Sequence, residues 1–260
     1  MANILFETLA LGIQAQFDSP LAPPVCMVGR SGTGKNKGGV ELSAKVLSKN
    51  LVHVFLPRHD PAELNGYPYA DIEGGSMRFL APNWAVQVNA VGPKNCMHGV
   101  LTDGSVGEVS VKGAAMVMAM NPPAIATTGG TISHPVATRI FQLDWNPDKQ
   151  DRIRQIRQGS WDTPTAKKLP SGWAKTISSS QAMIGNFLSK FPHLCEISEK
   201  DLLARGEDTW KPAHTWRTWE HFWTLRAAAH ASNQTHLMFL IAEGTVGTPG
   251  VEYLAWEKDL

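Results

Sequence analysis

The sequence predicts an α/β protein built on a parallel sheet, followed by a smaller helical region. Three observations predict it. Short apolar runs of strand length alternate with helical segments along the first half of the chain. The first of these runs opens directly onto a glycine-rich loop. After Trp145 the strand-like runs stop, and a stretch rich in Pro, Ser, Thr, Gly and Lys, Gly159 to Ser180, leads into helical patterns.

Each element has its own reason. Pro24-Val-Cys-Met-Val28 is a short apolar run ending at glycine, the form of a buried parallel strand. Val40, Ala44 and Leu47 then fall on one face of a helix. Leu51 to Leu56 reads as a second strand, and the turn-rich stretch Pro57 to Phe79 is too long and polar for a mere connection. Pro82 to Ala90 predicts a short helix. Ala114 to Met120 is a third strand, stopped by Asn121-Pro-Pro, and Arg139 to Trp145 a fourth. Helices follow at Gln181–Phe191, Ser198–Arg205, Thr215–Ser232 and Thr248–Leu260. In the third, Trp216, Trp219, Trp223 and Ala227 form a stripe that predicts a core face. The chain thus divides into an α/β unit at 1–147, a linker at 148–180 and a helical unit at 181–260.

Composition narrows the function. The 260 residues carry a net charge of +1, which gives no electrostatic case for nucleic acid or an anionic membrane. No apolar run approaches the roughly 20 residues that span a bilayer, and the N-terminus lacks the pattern of a signal peptide. Three cysteines form no CxxC pair, which fits a reducing cytoplasm. Nine histidines give no HExxH, and His214 and His221, seven apart, read as packing or surface residues, so no metal ligands are assigned. No G-x-S-x-G elbow is present. The nine tryptophans lack the interleaved basic residues of a base-stacking surface.

The chemistry concentrates in Val28-Gly-Arg-Ser-Gly-Thr-Gly-Lys-Asn-Lys-Gly-Gly39. Gly29, Gly34 and Lys35 have G-x-x-x-x-G-K spacing between a strand and a helix. Glycines let successive backbone N–H groups converge on phosphate oxygens, and a helix N-terminus adds positive potential. The candidate cradle runs through Ser31, Gly32, Thr33 and Gly34 to Lys35, whose ammonium would reach the β- and γ-phosphates. An ordinary glycine-rich turn is the competing reading, and the flanking strand and helix favour the cradle. Asn36 stands where a Ser or Thr hydroxyl would ligate Mg²⁺. Gly38 and Gly39 in the first helical turn weaken it by about 1 kcal/mol each relative to alanine.

A hydrolytic site of this kind also needs an apolar strand ending in acid. Met238 to Glu243 is apolar with a Glu but lies in the helical part. Phe141 to Trp145 holds one acid, Asp144. Gly92 to Gly113 is glycine-rich, and its Asp103-Gly104 pair signals a turn.

Taken in order, GRSGTGK, HDPAELNGYPYAD, GGSMRFLAPNWA, VMAMNPP, HPVATRIFQLDW and RTWEHFWTLRAAA resemble the MoxR group of AAA+ ATPases, in the branch associated with von Willebrand factor A domain proteins. The resemblance implies a P-loop NTPase sheet with a small C-terminal helical lid, and ATP with Mg²⁺ as its ligands. It implies that Asn121 orients the attacking water, that Arg217 contacts the γ-phosphate from the lid, and that Arg139 acts in trans on a neighbour's nucleotide. An arginine acting in trans implies a ring, hexameric in this family, that remodels a partner protein. Taken singly, Asn121 also suits an ordinary strand-ending turn, and either arginine suits the surface or a salt bridge. The departures weigh against hydrolysis. The family's acid-bearing strand and long helix, about 20 residues by usual element lengths, have no counterpart after PNWAVQVNAVG. The sheet is therefore expected to be short of one strand, left with a gap or repaired by a new pairing. Two functions follow: a remodelling ATPase, or a non-hydrolysing subunit that binds nucleotide or serves as scaffold. An internal deletion and a natural degenerate relative both account for the missing segment.

Overall fold

In the computed structural model, which describes all residues except 1, 55–66, 73, 91–95, 99–104, 107–108, 112, 123–131 and 159–163, the first element is one the sequence pattern does not announce. Helix α1 (Ala2–Asp18) is buried at Leu5, Phe6, Leu9, Ala10, Leu11, Ile13 and Ala15. It is apolar on nearly every face, so it shows no stripe, and a helix of that kind belongs inside a core. Gly12 brings it against the sheet, since a Cβ there would lie 2.7 Å from Val25 Cγ2.

The strands in chain order are β1 (Val25–Val28), β2 (Asn50–Val52), β3 (Tyr67–Asp71), β4 (Ser76–Leu80), β5 (Cys96–His98), β6 (Ser105–Val106), β7 (Val109–Ser110), β8 (Ala115–Met120) and β9 (Phe141–Asp144). Five of them form one sheet in the order β2-β5-β8-β1-β9, with every pair parallel. β3 and β4 form a separate antiparallel hairpin, and all of Ser76–Leu80 is exposed. β6 and β7 form a second small hairpin.

The expected shortage of a strand leaves no gap in the described sheet, which has five parallel strands. β5 occupies the slot between β2 and β8, pairing Asn50 with Cys96 on one side and Met97 with Ala115 on the other. The backbone groups of the neighbouring strands thereby find partners. β5 is three residues long.

The helices after α1 are α2 (Leu42–Val46), α3 (Asn83–Ala90), α4 (His134–Ala137), α5 (Lys149–Gln158), α6 (Ile177–Lys190), α7 (Glu199–Ala204), α8 (Trp216–Ala231), α9 (Met238–Thr245) and α10 (Thr248–Lys258). Residues 148–180 contain α5 and a 3₁₀ turn at Trp173–Thr176, and α6 begins at Ile177. Gln14 holds part of this segment against α1, donating to the Lys167 carbonyl at 2.9 Å and accepting from Leu169 N at 3.2 Å.

One continuous apolar core joins α1, one face of β1, β8 and β9, and helices α6, α8, α9 and α10. Thr215 and Thr218 cap the start of α8 reciprocally, each side-chain oxygen accepting from the other's backbone N–H. Trp219, 0% exposed, packs against Phe187 and Phe222 and donates from Nε1 to the Leu194 carbonyl at 2.9 Å. The tryptophan stripe needs one correction. Trp216 is 58% exposed, because it sits in the first turn of α8, beyond the edge of the core.

Helix α9 covers the edge strand β9, where unpaired backbone would otherwise face water. Gly244 makes that approach possible: a Cβ there would lie 2.0 Å from the Gln142 carbonyl oxygen. The opposite face of the sheet has a smaller core of Cys26, Val28 and Ile140, with Trp210 packed against it. A third cluster, Val52, Trp84, Ala85, Val88 and Val111, lies beside β2. No helix among the described residues is long and apolar enough to cross a membrane.

Candidate phosphate site

Beyond the carboxyl end of β1, flanked by β8 and β9, the chain makes the glycine loop. This is the edge at which parallel sheets hold their ligands. Gly29 N donates to the Met120 carbonyl at 3.1 Å, tying the loop's start to the end of β8. A Cβ at Gly29 would lie 2.4 Å from the Trp145 carbonyl oxygen, so only glycine fits. Gly34 has φ 81°, in the left-handed region that glycine adopts without strain. Thr33 closes the crest as a turn, with its N and Oγ1 both donating to the Arg30 carbonyl, at 3.3 and 2.9 Å.

Lys35 is buried among acceptors. Its ammonium donates to the Gly29 carbonyl, to the Arg30 carbonyl at 2.8 Å and to Asn121 Oδ1 at 3.2 Å. All three of its N–H donors are thereby engaged. An ammonium cannot accept a hydrogen bond, so the Asn121 amide must face it with its oxygen. Its NH₂ is left to face elsewhere. Burial lowers the Lys35 pKa from its usual value. The fold thus joins two residues 86 apart in sequence at one point beyond the sheet.

The helix after the loop begins as a π-helix, Lys35–Glu41, and continues as α2. Gly38 N and Gly39 N both donate to the Gly34 carbonyl, at 2.7 and 3.2 Å. The glycines that weaken this helix by propensity have a reason at Gly39, where a Cβ would lie 2.6 Å from Met27 Sδ. Val40 and Ala44 face the core as their spacing predicts.

Other sequence candidates stand apart from this point. Ser31, Gly32 and Asn36 are exposed along the loop and the first helical turn. Arg139 lies before β9 rather than in it, exposed, donating to the Pro135 carbonyl. Arg217 is exposed in the first turn of α8 and makes no hydrogen bond or ion pair with another described residue. Its charge adds to burial in pushing the His221 pKa down to about 3. His221 is buried in α8, and its Nδ1 has no hydrogen-bond partner among the described residues. His214, half-buried before the helix, is lowered too, mainly by burial.

Among the described residues the donors for Mg²⁺ do not fit. Asn36 replaces the hydroxyl, and β5, in the slot beside β8, is Cys96-Met-His98 without a carboxylate. Asp103, and the 123–131 segment after Pro122, lie outside the described residues. Asp144 ends β9 opposite Val28, and burial raises its pKa. Among the described residues no group of three His, Cys, Asp or Glu side chains converges.

One residue that the sequence offers only as a strand end proves central. Trp145, 3% exposed, donates from its backbone N to the Val28 carbonyl at 2.7 Å and from Nε1 to the Thr33 carbonyl at 3.2 Å. The signal was a tryptophan directly after an apolar strand, and only the strand order puts that strand beside β1.

No protein-family model matches the chain, and no curated protein matches it. Among solved structures it is similar to the 2.00 Å crystal structure of a candidate ATPase from Cytophaga hutchinsonii ATCC 33406. The two are 13% identical with a TM-score of 0.50, over 92% of this chain and 79% of that one. At that identity the likeness bears on the fold alone, an α/β sheet with C-terminal helices.

Proposed function

We propose that this chain is a nucleotide-binding subunit of the MoxR-type AAA+ lineage, holding ATP by its phosphates in the loop Gly29–Lys35 and hydrolysing it at no more than background rate. The observation that carries this is the Lys35 ammonium, buried in the loop and bonded to Asn121, at the carboxyl edge of a parallel sheet. An anionic phosphate entering there meets a preformed positive charge. The similarity to an ATPase fold supports nucleotide as the ligand class.

Catalysis has less support. Loose phosphoryl transfer needs a cation across the β- and γ-oxygens and an acid to hold it. Neither Asn36 nor the residues of β5 supply those groups. The exposed Arg139 suits a role on a neighbouring subunit, so this reading includes assembly into rings, with copies of itself or with intact relatives. A von Willebrand factor A domain protein is the partner class.

Equilibrium binding of a fluorescent ATP analogue, with and without EDTA, tests the reading beside a Lys35→Ala control. Binding should be weakened about tenfold to a hundredfold by the substitution, the range for losing charge-assisted hydrogen bonds, and little changed by EDTA. Phosphate release should match the Lys35→Ala background. Lys35-dependent hydrolysis well above that background would sink the non-hydrolysing reading and favour the remodelling ATPase.

A further inference from the structure

We infer that Trp145 is a positioning residue for the phosphate cradle: its indole N–H sets which way the Thr33–Gly34 peptide points. This rests on the phosphate-binding reading of the loop and adds to it a residue outside the G-x-x-x-x-G-K pattern. Trp145 grips the loop at several points. Its backbone N–H holds the Val28 carbonyl, its own carbonyl packs against Gly29, and its ring reaches within van der Waals range of Gly39's open side. Its Nε1 donates to the Thr33 carbonyl at 3.2 Å in a buried setting.

The last bond has a geometric consequence. A trans peptide is planar, and its C=O and N–H point in opposite directions. Fixing the Thr33 carbonyl inward on the buried indole turns the Gly34 N–H outward. Thr33 is buried and Gly34 half-exposed, in keeping with that direction. Gly34 N–H makes no hydrogen bond to another described residue, so it is available to a ligand. An N–H aimed outward beside the Lys35 ammonium is a phosphate donor. Without the indole bond, the left-handed Gly34, freed by the lack of a side chain, can rotate that peptide away. Trp145 therefore acts through Gly34 and touches no ligand itself.

The test replaces Trp145 in the full chain by Phe (Trp145→Phe), which keeps a ring and loses the donor. A second variant places 3-benzothienylalanine at 145, exchanging the indole N–H for sulfur at nearly the same shape, and covers the case in which Phe impairs folding. Binding of ATP and of inorganic tripolyphosphate is measured beside the thermal midpoint of the unliganded protein. The expected result is a loss of about fivefold to tenfold in affinity for both ligands, the usual worth of one hydrogen bond. The midpoint of the benzothienyl variant should stay near that of the wild type. A purely structural tryptophan would lower the midpoint and leave the affinity of the folded protein alone, and unchanged tripolyphosphate affinity overturns the inference. Wild-type binding abolished by Lys35→Ala but untouched at position 145 would remove this inference and spare the phosphate reading. Absence of any Lys35-dependent binding would remove both.

Discussion

The two sides of the sheet are built to different standards. On the β1–β9 side, α1 and four C-terminal helices enclose a continuous core, and Trp145 braces the loop from beneath. On the β5–β2 side the strands are three residues long and the apolar cluster beside them is small. The glycine loop follows β1 on the first side, whereas β5 on the second carries no carboxylate. The contrast teaches that the loop's geometry rests on β1, its two neighbours and the helix after it.

The largest expected effect tests how much the well-built side carries. Trp219→Ala removes a fully buried indole that also satisfies the Leu194 carbonyl, and should cost about 3–5 kcal/mol in denaturant unfolding. Val88→Ala, in the small cluster, should cost about 1–2 kcal/mol by the same measurement. Equal losses would break the comparison. Gly244→Ala pushes a methyl group into the Gln142 carbonyl and Phe141, lifting α9 from β9. It should cost about 3 kcal/mol, visible as faster amide exchange in β9.

A pH effect comes next. His221 is kept neutral in the fold, its pKa pushed down to about 3 by burial first and then by Arg217. The unfolded chain takes up a proton near pH 6.5 that the fold refuses. Stability is therefore undiminished by this group above that pH, and it falls as the pH drops from about 6.5 towards 3. The linkage slope is at most about 1.4 kcal/mol per pH unit. Between pH 7 and 5, His221→Gln should lose about 2 kcal/mol less than the wild type in urea titrations. A parallel loss in both proteins would show that the ring is protonated in the native state. The smallest effect concerns the poorly built side: Asn36→Thr should leave phosphate release at background, because β5 offers no carboxylate. A measurable gain would mean that an acid reaches the loop from elsewhere.

Much of the sheet was legible because buried strands are short apolar runs with hard stops. Three strands, β1, β8 and β9, fall within one or two residues of their sequence boundaries. α1 was not legible because a helix apolar on all faces has no periodic signature, and α5, KQDRIRQIRQ, was missed for the opposite reason. The β3–β4 hairpin lies within a stretch whose polarity marks only a long excursion. Cys96–His98 could not be read as a strand, since three residues carry little pattern and its pairing is with strands distant in sequence. In the site, Gly29, Gly34 and Lys35 were legible through spacing. The Lys35–Asn121 bond was not legible, because it needs β1 and β8 to be neighbours. Trp145 needed the strand order itself, which local sequence does not encode.

The core that α1 shares with the C-terminal helices has a consequence for how the chain is made. Glu7 in α1 pairs with His236, 229 residues further along, through contact of Oε2 with Nε2 at 2.6 Å. A ribosome releases α1 long before α8 and α9 exist to receive it. At about 5–20 residues per second, that interval lasts on the order of ten seconds or more. Until then Leu5, Leu9 and Ile13 lack their final partners. Contacts of such sequence separation also slow folding once synthesis ends. Nascent chains stalled before Trp216 should therefore hold chaperones that the finished chain releases.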